Sequence, residues 1–270
     1  MVTSTVLDRP ARARTRPARL ACLDTWLLRR ERDLLNHPTC SAFVDVGFGE
    51  HPITTLETFR ALRDANPALA VIGFELDAAR ASNAQTRFQQ EGLCFRRGGF
   101  RDAAACEPKA RIIRVMNVLR SYPPQQVEAV HDTLATGLID GGLLIEGTSD
   151  TAGHVLTAWL IRREGTAARK EGLLLYTDFS RGFSPWLLRD YIPRDIRRDV
   201  QPGTPIHALL TDWHAAWSAV RSAGEKSARA LFDRSIATLA TNRGDIDRCD
   251  DLDAGYCLWR CAGGARPLAR

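Results

Sequence analysis

The stretch Ser41-Ala-Phe-Val-Asp-Val-Gly-Phe-Gly-Glu50, followed by Val71-Ile-Gly-Phe-Glu-Leu-Asp77, decides how the rest of the chain is read. A short apolar run ends in Asp45 and turns through Gly47 and Gly49 into a helical pattern over 52–65. A second apolar run follows and closes on Glu75. This spacing predicts a β-α-β unit with glycines at its first turn and a carboxylate at the tip of its second strand. Such a unit suits an adenosine-bearing ligand. Glycines let the backbone approach a ligand closely, a helix start offers N–H groups without helical partners, and a carboxylate at the next strand tip accepts ribose hydroxyls.

A dinucleotide turn requires a third glycine, which permits tight helix–strand packing. Here the series is Gly47-Phe-Gly-Glu-His-Pro52, with Glu50 where a pyrophosphate's negative charge would sit. Both departures count against NAD and FAD. The pattern Asp45-x-Gly47-x-Gly49 with Glu75 instead resembles motif I and the ribose-binding acid of class I S-adenosylmethionine (SAM)-dependent methyltransferases. SAM carries no phosphate and its sulfonium and ammonium are positive, so an acidic loop is tolerable there. The family often has a third glycine where this chain has His51.

Outward from that unit, alternation continues. A helix is expected from Leu20 to Leu35, strands near 42–46, 70–75 and 93–97, helices over 52–65 and 77–90, and a strand opening at Arg111. Pro123-Pro124 begins a helix to about Leu138, and Asp140-Gly-Gly142 is read as the turn into a strand over 143–146. Strands alternating with helices imply a parallel sheet covered on both faces, with ligand-facing loops at its carboxyl edge. Beyond 150, His154–Arg162 and Gly172–Phe179 are read as a long β-hairpin, with a helix as the alternative for the first segment. Segments 205–222 and 226–241 are read as helices and 256–261 as a last strand. The expected fold class is α/β: a doubly wound, mostly parallel seven-stranded sheet with an N-terminal helix and C-terminal helical and hairpin additions.

The resemblance covers residues 41–150 and implies a SAM-binding half there, with a substrate-side half over 151–270. Carried over by position, Asp45, Gly47 and Gly49 line the methionine end of SAM, Glu75 holds the ribose, and Leu76 lies against the adenine. Phe100 and Asp102 fall where the family contacts the adenine ring and its amino group. Asn117 falls at the motif IV position beside the transferred methyl, and Tyr122 is a candidate to stack on the acceptor. His51 and Glu146 are further candidates at the carboxyl edge. Trp186, Tyr191, Trp213 and Trp217 are candidates to wall a substrate pocket, although a Trp at helical spacing is more often core.

Subclasses are narrowed by what the motif IV region holds. Asn117-Val-Leu-Arg-Ser-Tyr-Pro-Pro124 has the residue types of an amino-methylating tetrad in the wrong order. The Asp-Pro-Trp-Pro signature of tRNA guanine-N7 enzymes, a Pro-Cys loop for pyrimidine C5 methylation and acidic ligands for a catechol-type metal are all missing there.

Charge points the same way. The net charge is +5, and the arm over residues 1–19 holds Arg9, Arg12, Arg14, Arg16 and Arg19 against Asp8 alone, which is +4 of it. The body is close to neutral, so a pI near 9.0 is weak support for nucleic-acid binding. The arm is expected to be disordered, with one domain over 20–270. Seven cysteines lack any C-x-x-C, and Cys257-x-x-x-Cys261 has no neighbouring His pair, so no metal site is expected. No apolar run reaches the ~20 residues of a membrane helix, and the first residues lack a secretory pattern. The reading is a cytoplasmic SAM-dependent methyltransferase acting on a small-molecule or peptide-like acceptor. A non-catalytic SAM-binding scaffold, an RNA methyltransferase and a nicotinamide-dependent oxidoreductase are the alternatives, and the oligomeric state is left open.

Overall fold

All five residues of the first strand, β1 (Ala42–Val46), are buried, because a central strand of a doubly covered sheet has no solvent face. The computed structural model describes residues 15–260 and the backbone at 266–267. Four further strands, β2 (Ala70–Glu75), β3 (Leu93–Arg97), β4 (Ala110–Met116) and β5 (Leu138–Ser149), join β1 in parallel in the order β3-β2-β1-β4-β5. Helices α1 (Ala21–Arg30), α2 (Arg32–Leu35), α3 (Ile53–Ala65) and α4 (Ala78–Phe88) cover one face. Helices α5 (Phe100–Ala104), α6 (Pro124–Thr136), α7 (Pro205–Ser222) and α8 (Ala228–Asn242) cover the other. The doubly wound α/β class is the one the alternating pattern implied.

The sheet is wider than the expected seven strands. From β5 the chain reverses into β6 (Val155–Glu164) and β7 (Ala167–Thr177), a hairpin closed by a two-residue turn with Gly165 at φ +59°. The hairpin reading of this region matches the observed strands. The C-terminal part adds β8 (Ile246–Asp247), β9 (Gly255–Trp259) and β10 (Arg266–Pro267), giving a ten-stranded sheet with β9 between β7 and β8 and with β10 on β7. The additions therefore extend the same sheet.

Three local differences have physical causes. The N-terminal helix breaks at Glu31, whose carboxylate is held by Arg162 of β6 at 2.7 Å. Strand β5 starts at Leu138, and Asp140-Gly-Gly142 is a bulge inside it: Ala110 faces Leu138 and Ile112 faces Leu143, with Gly141 at φ +74°. The domain boundary at residue 20 also shifts. Ala18 donates its backbone N–H to the Glu57 carboxylate of α3, and Arg19 is buried. Residues 15–19 thus belong to the body, and the rest of the proposed disordered arm lies outside the described residues.

Trp213 and Trp217 of α7 are core residues, their indole N–H groups donating to Ser235 Oγ and the Phe183 carbonyl. Among the described residues, no helix is long and apolar enough to cross a membrane. Nor does any group of three or more His, Cys, Asp or Glu among them stand where it could hold a metal.

Candidate functional site

The ends of β1, β2, β3, β4 and β5 meet at one carboxyl edge, as parallel pairing dictates. At β1, the chain turns with Gly47 at φ +79° and Gly49 at φ +80°, conformations that glycine adopts without a Cβ penalty. A Cβ on Gly47 would also stand 2.5 Å from Val118 Cγ2, so this glycine serves packing against the loop after β4 as well. The intervening Phe48 is buried and meets Phe95 of β3 edge-on, with ring centroids 5.3 Å apart. That contact anchors the turn over the sheet.

Glu75 closes β2 and is 1% exposed. Its Oε2 accepts the Gly49 N–H at 2.8 Å and its Oε1 accepts the Asp77 N–H at 3.1 Å. The carboxylate thus ties the glycine turn to the second strand. Each oxygen keeps a further lone pair for an incoming donor. Leu76 is half-buried beside it. Asp102 is exposed in the first turn of α5, where its Oδ2 accepts the Gly99 N–H at 2.8 Å.

Several sequence-derived assignments are corrected here. Asp45 does not line a ligand space, because alternation along β1 turns it with Phe43 toward α1 and α3. There Arg114 of β4 grips both its oxygens, at 3.0 and 2.9 Å, and the Thr55 hydroxyl adds a third bond at 2.6 Å. Arg114 is fully buried and also reaches Asp24 and the Thr58 hydroxyl. Burial pushes the Asp24 carboxyl up to about 6, against the opposing pull of Arg114.

Asn117 stands at φ +64°, a left-handed position Asn tolerates better than most residues. Its amide is held at both ends: Oδ1 accepts the Ser149 N–H at 2.9 Å and Nδ2 donates to Ser149 Oγ at 3.3 Å. The side chain therefore clamps the ends of β4 and β5 together. Tyr122 is 1% exposed and packs on Phe100, itself 4% exposed, with centroids 5.6 Å apart. Both rings are core on the α5–α6 side, which removes Tyr122 as a stacking platform and Phe100 as an open adenine contact. Glu146 points beneath α6 and pairs with His131 at 3.3 Å, away from the edge. His51 is exposed beside Glu50.

One residue of this edge escaped sequence reading. Arg19 is 5% exposed, its Nη1 donates to Ser149 Oγ at 3.0 Å, and its Nε has no partner among the described residues. Among the described residues it forms no ion pair within 4 Å. Burial, with the nearby Arg114, lowers its pKa to about 10, the mark of a cation short of compensation. In the sequence it is one arginine of a basic arm, and only the three-dimensional return of that arm over Ser149 distinguishes it.

No known protein-family profile matches the chain, and no curated protein sequence matches it. Many solved structures resemble parts of it. A plantazolicin methyltransferase, solved with a triazolic desmethyl analogue and SAH, is 16% identical over 49% of this chain and 46% of its own, with a TM-score of 0.37. The magnesium protoporphyrin IX methyltransferase of Synechocystis, with bound SAH, is 18% identical over 47% of this chain and 53% of its own, with a TM-score of 0.36. A SAM-bound amino pentose methyltransferase of Micromonospora echinaspora is 20% identical over 58% of this chain and 68% of its own, with a TM-score of 0.34. This chain thus spans less than two thirds of the length of the first two, and resemblance of this degree leaves function to be argued from the site.

Proposed function

We propose that this chain binds SAM at the carboxyl edge of its parallel strands and transfers the methyl group to a small-molecule or peptide-like acceptor. The observation that carries the reading is the pairing of two buried, incompletely satisfied groups at that edge. Glu75 holds the glycine turn with lone pairs to spare, and Arg19 presents a cation that forms no ion pair among the described residues. A ligand with a ribose diol at one end and an α-amino-acid carboxylate at the other complements both. The missing third glycine and Glu50 disfavour a pyrophosphate in the same place.

SAM, when bound, supplies a methyl already activated on a sulfonium. The work left to the protein is alignment and exclusion of water. In this reading Glu75 accepts the two ribose hydroxyls, Arg19 binds the carboxylate through Nε, and the Gly47–Gly49 turn gives the backbone close approach. Val118 and Phe48 supply apolar walls under that turn. Of the sequence-derived candidates, Asn117, Tyr122 and Glu146 are engaged elsewhere, which leaves the exposed His51. The proposed acceptor therefore sheds its proton to His51 or to solvent. That same observation favours a second reading, a SAM-binding protein without turnover.

Calorimetric titration of the full chain with SAM, SAH, NAD and methylthioadenosine tests the proposal. SAM and SAH are expected to bind and NAD to show no binding. Arg19→Met is expected to weaken SAH about tenfold or more, since a hydrogen bond to a charged group is worth about 1.5–3 kcal/mol. Methylthioadenosine, which lacks the amino-acid end, is expected to bind wild type and variant alike. NAD binding without SAM binding would overturn the cofactor assignment.

A further inference from the structure

A cavity lies outside the carboxyl edge, on the antiparallel half of the sheet. Trp159 of β6, Leu173 of β7 and Trp259 of β9 stand directly opposite one another in register, so they form one row on one face. Above the two tryptophans, Ile196 of the segment leading into α7 and Ile206 in the first turn of α7 help to enclose a half-open space of about 480 Å³. This volume is within the range of sites that take small organic molecules. None of its lining residues belongs to the edge that holds Glu75 and Arg19.

The charges around this cavity are nearly all matched. Arg243 is bonded to Asp245 and Asp212, each at 2.8 Å, and Asp245 also accepts the Trp259 indole N–H at 2.8 Å. Arg260 pairs with Asp247 at 2.9 Å. Lys170, which lies over the Trp159 ring, is neutralised by Asp195 at 2.7 Å. Asp199 differs: it is exposed, lines the cavity, and its carboxylate has neither an ion pair nor a side-chain hydrogen bond among the described residues.

We infer that this cavity is a binding site for an arylalkyl ammonium ligand, its ring seated against the indoles of Trp159 and Trp259 and its cation facing Asp199. Indole faces attract both aromatic rings and cations. Among the described residues that line the cavity, Asp199 is the charge without a partner, and it sets the sign of the ligand: an ammonium gains a counter-ion there, a neutral group gains nothing, and a carboxylate is repelled.

The test uses three probes of similar size, 2-phenylethylammonium, 2-phenylethanol and 3-phenylpropionate, titrated into the full chain and followed by tryptophan fluorescence and ligand-observed NMR. The ammonium is expected to bind saturably, about fivefold more tightly than the alcohol, with the carboxylate weakest. Asp199→Asn, an exposed substitution, is expected to bring ammonium and alcohol within about twofold of each other, and saturating SAM is expected to leave the titration unchanged. A lack of saturable ammonium binding up to ~10 mM would overturn the inference. So would a preference for the alcohol or the carboxylate, an ammonium preference that survives in Asp199→Asn, or displacement by SAM.

Discussion

Glu75 does two jobs that a mutation can separate. Its Oε2 fixes the turn through Gly49, and in the proposed complex both oxygens take ribose hydroxyls. Glu75→Gln keeps one acceptor oxygen for the Gly49 N–H but loses the charge and the second acceptor. Calorimetry is expected to give at least tenfold weaker SAM binding for Glu75→Gln, because charged hydrogen bonds are worth about 1.5–3 kcal/mol each and tenfold needs about 1.4. The circular dichroism spectrum is expected to match wild type. Equal affinity would remove Glu75 from the site. At this scale, sequence reading succeeds where chain position alone fixes a residue's place, as for Glu75 at a strand tip and Gly47 and Gly49 in the turn. It does not reach the partners of Asp45, Asn117 and Tyr122, because Arg114, Ser149 and Phe100 are brought to them by tertiary packing and strand pairing.

Among the elements, the short segment before α1 has the largest effect for its length. It contributes the Ala18 bond to Glu57, the Arg19 bond to Ser149 and the buried side chain of Leu20. Gly153 packs against its backbone, where a Cβ would lie 2.2 Å from the Arg19 carbonyl oxygen. A chain beginning at Thr15 is expected to melt and to bind SAM like the full chain. One beginning at Ala21 is expected to melt about 5 °C lower or more, from loss of the Leu20 burial alone, and to bind SAM at least tenfold more weakly. Thermal scans and calorimetry on the two chains check this; indistinguishable behaviour would return the segment to a solvated tail. Most strands and helices of the first 150 residues were legible because each is a buried run or a 3.6-residue stripe, whereas the five-residue α5 was not read. The two-residue β8 has no such pattern, and the bulge at Gly141 imitates a turn.

For the molecule as a whole, the buried network around Arg114 links stability to pH. Burial holds the Asp24 carboxyl near 6 in the folded state, whereas an aspartate in the unfolded chain titrates near 4. Between those values the folded chain carries a proton the unfolded chain has released. The contribution of this group to stability therefore falls as pH rises from about 4 to about 6 and is lowest above that. Asp24→Asn retains an oxygen for the Thr58 hydroxyl and removes the titration. Urea unfolding at pH 4 and pH 7 is expected to show the variant gaining on wild type as pH rises, by up to about 3 kcal/mol. A gap between the two proteins that is constant with pH would show that Asp24 ionises alike in both states.

The hydroxyl of Tyr256, on β9, donates to the carbonyl of Cys22, on α1, at 3.0 Å across a sequence separation of 234 residues. Arg30, at the end of α1, reaches Asp247 and Asp251 in the same C-terminal region. On a ribosome adding about 5–20 residues per second, the first of these partners waits roughly 10–50 s for the second. During that interval the apolar stripe of Leu23, Trp26 and Leu27 lacks its C-terminal cover and is open to chaperones. A circular permutant that joins the two termini and opens a surface loop elsewhere would bring α1 and β9 out of the ribosome together and shorten that exposure.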